Sequence, residues 1–187
     1  MNQSDIPIIA TQALTRDFKK TRAVNSLEMT IKPGELFGLV GPDGAGKTTT
    51  LRLLAGLLSI TDGSANLAGF DLGTQAEAIK PLIGYMAQQF SLYSELSVSE
   101  NLQFFADLYD VPRKVLQDRT NRLLDFAGLT EFKSRRAGNL SGGMQKKLAL
   151  ACTLIHQPRI LLLDEPTTGV DPISRREFWN ILTELHL

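Results

Sequence analysis

The chain has 187 residues, is 43% hydrophobic and 21% charged, and carries equal numbers of basic and acidic side chains. That length suits one domain with a buried core, and a zero formal charge removes bulk electrostatics as a reason to bind nucleic acid or an anionic membrane. Cys152 is the single cysteine, which excludes an internal disulfide framework and fits a reducing compartment.

The opening residues 1–7 carry no basic segment followed by an apolar one, so they do not read as a secretory leader. The spans 8–14 and 23–31 read as two strands, joined by a polar connection over 15–21. Phe18 in that connection has two readings: a ring that stacks on adenine, or an ordinary core anchor. Pro33-Gly34 is a turn signal leading into an apolar run, 36–40, that reads as a strand.

Next comes Gly41-Pro42-Asp43-Gly44-Ala45-Gly46-Lys47-Thr48-Thr49, followed by an apolar-periodic helix from Leu51. Strand, glycine-rich turn and helix is the context the phosphate-loop pattern requires. Glycines let successive backbone N–H groups curl round a phosphate, and the helix N-terminus adds its positive end. Lys47 can reach the β- and γ-phosphates, and the Thr48 hydroxyl can ligate Mg²⁺. The stretch predicts a nucleoside triphosphate site.

Beyond the first helix, 60–64 reads as a turn, 64–69 as a short strand and 83–86 as another, followed by Ala87-Gln88-Gln89. From 97 to 129 the apolar spacing turns helical, through Val98, Leu102, Phe105 and Leu108, then Leu116, Leu123, Leu124 and Phe126. Pro112 separates two helices and Gly128 ends the second. This predicts a helical insertion in an α/β core. Ser141 is a good cap for a helix over 144–156, and Gly142 and Gly143 at its start make either a second phosphate site or a plain helix cap. Cys152 lies in this helix's apolar run, 148–155, as a small core residue; the run is too short to span a bilayer, so any membrane role is peripheral and through a partner.

The segment 160–165 is a wholly apolar strand ending in Asp164 and Glu165, where α/β sheets place their ligand crevice. Asp164 can hold Mg²⁺ through its water shell, and Glu165 can orient or deprotonate an attacking water. Finally Pro172 opens a helix whose stripe of Phe178, Trp179, Ile181, Leu182 and Leu185 predicts a core-facing side.

The phosphate loop, Leu140-Ser141-Gly142-Gly143-Met144 and a strand ending Asp164-Glu165-Pro166-Thr167, in that order, resemble the nucleotide-binding subunit of an ATP-binding cassette (ABC) transporter. The resemblance covers nearly the whole chain. It is nearest to the drug-export type and to the first cassette of bacterial efflux ATPases that carry two, on the loop sequence and on Gly169-Val170-Asp171-Pro172-Ile173-Ser174-Arg175-Arg176.

The resemblance implies an α/β fold: a phosphate-loop NTPase (RecA-like) core over 1–89 and 157–187, with an antiparallel β subdomain, and a helical subdomain over 90–156. It implies ATP and Mg²⁺ as cofactors and ATP hydrolysis as the activity. The nucleotide would be bound by Phe18, residues Gly41 to Thr49, and Gln88. Mg²⁺ would be held by Thr48, Gln88 and Asp164, with Glu165 and Lys47 catalytic. Ser141, Gly142 and Gly143 would close on the γ-phosphate of an opposite cassette, and Asp171 would couple the two sites. The implied partners are a transmembrane permease, docked near residues 88–100, and a second cassette, at the cytoplasmic face of the membrane, with no nucleic acid.

Three departures stand out. Asp43 replaces the family's usual Asn, Met144 ends the signature in place of Gln, and no His fills the γ-phosphate switch role, since His156 and His186 fall on other elements. The chain therefore reads as a cassette truncated after its last helix. Two further readings stay open: a nucleotide-binding fragment with impaired turnover, and a soluble ABC-type ATPase that acts on ribosomes or DNA.

Overall fold

The computed structural model describes residues 6–89 and 92–186, without the side chains of 184–186. The opening five residues, the Leu185 of the final stripe, the His186 side chain and part of the 88–100 docking stretch therefore lie outside the described residues. The fold is mixed α/β and falls into two units. One runs to Ile83 and adds Arg159–Asp164; the other is Gly84–Pro158 and continues from Glu165.

The first unit is built on an antiparallel sheet of order β2-β1-β3-β4, formed by β1 (Ile9–Phe18), β2 (Thr21–Ile31), β3 (Asp62–Leu67) and β4 (Phe70–Asp71). β1 does not stop at residue 14 as its apolar pattern suggests. Cross-strand pairing continues through Arg16↔Val24, Asp17↔Arg22 and Phe18↔Thr21, so only Lys19 and Lys20 connect the strands. Arg22 donates to both Asp17 carboxylate oxygens, at 2.9 and 3.2 Å, and pins the hairpin end. The polar residues 15–17 continue the hairpin rather than form a loop, with Thr15 buried and Arg16 and Asp17 partly exposed. The short β3–β4 hairpin turns on Ala68 and Gly69, whose φ values of 52° and 93° are those of a tight two-residue turn.

Helix α1 (Lys47–Leu54) packs on β2 and buries Thr50, Leu53 and Leu54. Leu53 and Leu54 join Ile9, Leu14, Leu67 and Ile79 among the buried apolar residues of this unit. A short helix α2 (Ala76–Ile79) follows, and β5 (Ile83–Met86) begins in this unit and continues in the other. β6 (Ile160–Leu163) brings the chain back.

The expected strand over 36–40 is not formed. Leu36, Phe37 and Val40 are 73%, 46% and 98% exposed, and no backbone hydrogen bond joins 36–40 to a described residue. An apolar run becomes a strand only when a neighbour takes its N–H and C=O groups, and this segment has none among the described residues.

The second unit is helical: α3 (Val98–Leu108), α4 (Arg113–Phe126), α5 (Gly142–Leu154) and α6 (Pro172–His186). α3 starts on a complete capping box. Glu100 N–H donates to Ser97 Oγ at 3.2 Å, and Ser97 N–H donates to Glu100 Oε2 at 2.7 Å. Pro112 caps α4, and Gly128 follows it with φ 65°, as the sequence indicates. Val98, Leu102, Ala106, Leu116, Leu124, Leu148, Ala151, Cys152 and Ile155 form one core between α3, α4 and α5. In α6, Phe178, Ile181 and Leu182 are buried but Trp179 is 43% exposed. Trp179 lies about 100° round the helix from Phe178, outside the i, i+3, i+4 stripe. Among the described residues no helix is long and apolar enough to cross a membrane.

Candidate functional site

The phosphate loop runs into α1 through two glycines in the left-handed region, Gly44 at φ 79° and Gly46 at φ 90°. At Gly46 a Cβ would lie 2.2 Å from the Ala23 carbonyl oxygen of β2, so only glycine fits between the loop and the sheet. Asp43 is exposed on the loop, and Ala45 N–H donates to Pro42 O at 3.2 Å.

Lys47 folds its ammonium back over this loop, donating to the carbonyls of Gly41 and Pro42 at 2.8 and 2.9 Å. A cation is thereby held above the positive-φ turn that an anionic phosphate would enter. The next side chain, Thr48, donates from Oγ1 to Asp164 Oδ1 at 3.0 Å, and Asp164 is 2% exposed. The sequence separates these two residues widely, yet the end of β6 delivers the carboxylate to the first turn of α1. An alcohol and a carboxylate oxygen side by side are the hard donors Mg²⁺ takes. Among the described residues no group of three or more His, Cys, Asp or Glu side chains is placed to hold a metal ion.

Phe18 closes β1 and is 41% exposed, so the core-anchor reading does not hold. Thr49 is half-buried in the first turn of α1 beside the buried Thr50.

The other candidate residues lie in the second unit. Gln88 donates from Nε2 to Glu165 Oε2 at 3.0 Å, and Thr168 Oγ1 donates to the same oxygen at 3.1 Å. Glu165 itself has φ 47°, an unusual backbone state for a non-glycine residue, and Thr168 N–H closes a turn on its carbonyl at 3.1 Å. Lys146 of α5 donates to the Gln88 carbonyl at 2.7 Å, and burial lowers the affinity of that ammonium for its proton.

Ser141 caps α5 as expected, with Met144 N–H donating to its Oγ at 3.3 Å; the helix begins at Gly142, two residues before the sequence suggests, and ends before His156. Gly143 is buried, and a Cβ there would lie 2.5 Å from Ser174 Oγ. Asp171 caps α6, accepting from Ile173 N–H at 3.1 Å and Ser174 N–H at 3.0 Å. Those bonds, the Ser174 backbone first and its hydroxyl next, hold the Asp171 carboxyl below its ordinary pKa. Lys147 also pairs with Glu177 of α6.

The structure thus gathers Lys47, Thr48 and Asp164 in one unit, and Gln88 with Glu165 and Gly143 beside Asp171 in the other. Lys146, Thr168 and Ser174 join these groups: Thr168 and Ser174 by bonds to residues three positions away, Lys146 by a contact that exists only once α5 meets Gln88 in space.

A family model described as ABC transporter matches residues 24–168. The chain belongs to the ABC transporter family. Over 163 residues it is 53% identical to the probable multidrug ABC transporter ATP-binding protein YbhF of Escherichia coli, covering 87% of this chain and 28% of that protein. It is 32% identical over 179 residues to the linearmycin resistance ATP-binding protein LnrL of Bacillus subtilis, covering 96% of this chain and 58% of the relative. The chain therefore spans less than two thirds of the length of these curated relatives.

Among solved structures, a part of the cbiONQ ABC transporter complex of Clostridium perfringens superposes with a TM-score of 0.87 at 27% identity, covering 97% of this chain and 74% of that one. An ATP-binding cassette solved as a dimer in a post-hydrolysis state with ADP and phosphate superposes at 0.84 with 26% identity, covering 95% of this chain and 82% of that one. The α/β phosphate-loop fold expected from the motifs is the fold of these ABC ATPase domains.

Proposed function

We propose that this ABC-family chain is the ATP-binding subunit of an exporter, hydrolysing ATP to drive transport through a permease. The observation that carries the reading is the Thr48 hydroxyl set on the buried Asp164 carboxylate, beside the Lys47 ammonium held over the loop. Export is supported by the names of the multidrug and antibiotic-resistance relatives.

In this reading the backbone N–H groups of 41–49 and the Lys47 ammonium bind and orient the triphosphate, with Phe18 against the base. Thr48 and Asp164, and by family likeness Gln88, hold Mg²⁺, which when bound neutralises charge on the β- and γ-phosphates. Glu165 takes up the proton of the attacking water. Its carboxylate is oriented for that task by the Gln88 amide and the Thr168 hydroxyl. Ser141, Gly142 and Gly143 present the N-terminus of α5 to the γ-phosphate of a second cassette, and Asp171 couples the two sites. The permease contact stays assigned to residues 88–100, at the cytoplasmic face of the membrane. Residues 1–89 and 157–187 are assigned to the nucleotide-binding core and 90–156 to the helical subdomain.

A second reading, a cassette that binds ATP with impaired turnover, is favoured by the exposed segment 36–40, which pairs with no strand among the described residues. Phosphate release by the purified chain separates the two. Mg-ATP turnover that is lost in both Lys47→Ala and Glu165→Gln supports hydrolysis; a wild-type rate no higher than that of Lys47→Ala supports the second reading.

A further inference from the structure

Arg16 and Phe18 are two residues apart near the end of β1, where the pairing with β2 shifts register between Arg16 and Asp17. The Arg16 guanidinium donates from one nitrogen to both the carbonyl and the hydroxyl of Ser59, at 2.7 and 2.9 Å. Its central carbon lies 4.7 Å from the centroid of the Phe18 ring. One face of the ring is therefore covered by a planar cation, while the ring as a whole remains 41% exposed.

The surroundings make this arrangement rigid. Thr61 N–H donates to Thr15 O at 3.0 Å, and Asp17 N–H donates to Thr61 Oγ1 at 3.0 Å, tying the segment that carries Ser59 to the strand that carries Arg16. The Asp17–Arg22 pair closes the hairpin immediately beyond. The Arg16 Nε is covered and has no hydrogen-bond partner among the described residues.

We propose that Arg16 is a positioning residue for nucleotide recognition: anchored on Ser59, it backs one face of Phe18 and presents the other face to the purine ring of ATP. This rests on the reading that Phe18 stacks on the base. Two physical effects support it. A ring already fixed loses little rotamer freedom when a base lands on it. A cation on one face also draws the π density away from the other, which lowers the repulsion between the ring and an incoming π face.

The test is calorimetric titration of the full chain with Mg-ATP and, separately, with magnesium tripolyphosphate, which has the phosphates and no base. Arg16→Met keeps the aliphatic stem and removes the cation and its Ser59 bonds. It is expected to weaken ATP about two- to fivefold, the effect of one exposed cation–π contact. Tripolyphosphate binding is expected to stay within experimental error of wild type. In a Phe18→Ala background the same substitution is expected to change nothing further.

Unchanged ATP affinity in Arg16→Met would overturn the proposal. So would an equal loss for tripolyphosphate, or an undiminished loss in the Phe18→Ala background, since either would mean a general structural effect. A wild-type chain that bound tripolyphosphate and ATP equally would instead sink the base-stacking reading beneath it, and the proposal with it.

Discussion

Gly46→Ala should be among the most damaging single changes in the phosphate loop, and the structure gives the reason in two parts. The residue sits at φ 90°. A side chain in that left-handed region costs roughly 1–2 kcal/mol. The added Cβ also meets the Ala23 carbonyl oxygen at 2.2 Å, with Ala23 C at 3.3 Å and Val24 Cγ2 at 3.6 Å. The first distance is more than about 1 Å inside ordinary contact, and its partner is sheet backbone that cannot rotate away. Overpacking of this kind adds about 1–3 kcal/mol, for a total of roughly 2–5 kcal/mol.

Gly44 is the internal control. Its φ of 79° carries the same conformational term, but a Cβ there meets nothing within 4 Å. Thermal unfolding of the two alanine variants beside wild type measures the difference. At roughly 2–4 °C per kcal/mol for a chain of this size, Gly46→Ala should melt about 5–20 °C below wild type, and Gly44→Ala only a few degrees below. Equal melting temperatures for the two variants would refute the steric argument.

Cys152 should resist alkylation in the native chain, because burial in the α3–α5 core pushes its thiol pKa well up and starves it of thiolate; labelling with iodoacetamide should track unfolding by urea, and fast native labelling would contradict this. Leu102→Ala in the same core should destabilise by about 2–5 kcal/mol in urea unfolding, since the side chain is fully buried between helices. Glu100 has its pKa lowered by the backbone and side-chain hydrogen bonds of Ser97. A carboxylate with a depressed folded pKa adds stability above its unfolded pKa and loses it as pH falls through the folded value. Glu100→Gln should therefore flatten the acid limb of stability against pH below about 4.5 while leaving the helix capped, and an unchanged acid limb would remove Glu100 from that role.

The phosphate loop, the Ser141 cap of α5 and the bounds of α4 were legible because each depends on local chemistry. Gly44 and Gly46 take the positive φ the loop needs, Ser141 caps by a hydrogen bond three residues away, and Pro112 and Gly128 bound one helix. Where the sequence misled, pairing was decisive. Residues 36–40 have a strand's apolarity but no neighbour to bond among the described residues, whereas the polar residues 15–17 have β2 beside them and extend β1. Trp179 counts as apolar in composition yet falls off the buried stripe of α6. Within the site, Lys47 and Thr48 announce themselves by motif. The grips of Lys146 on Gln88 and of Arg16 on Phe18 do not, because the first joins residues whose proximity exists only after folding and the second depends on the Ser59 anchor.

The central claim is that the Gly41–Thr49 loop binds ATP through Lys47. Thermal unfolding of the wild-type chain and of Lys47→Ala, each with and without saturating Mg-ATP, tests it most directly. Ligand at a hundredfold excess over its dissociation constant stabilises the folded state by about 2.7 kcal/mol, so the wild-type melting temperature should rise by several degrees and that of Lys47→Ala should not move. An equal rise in both proteins, or none in wild type, would contradict the assignment of this loop as the nucleotide site.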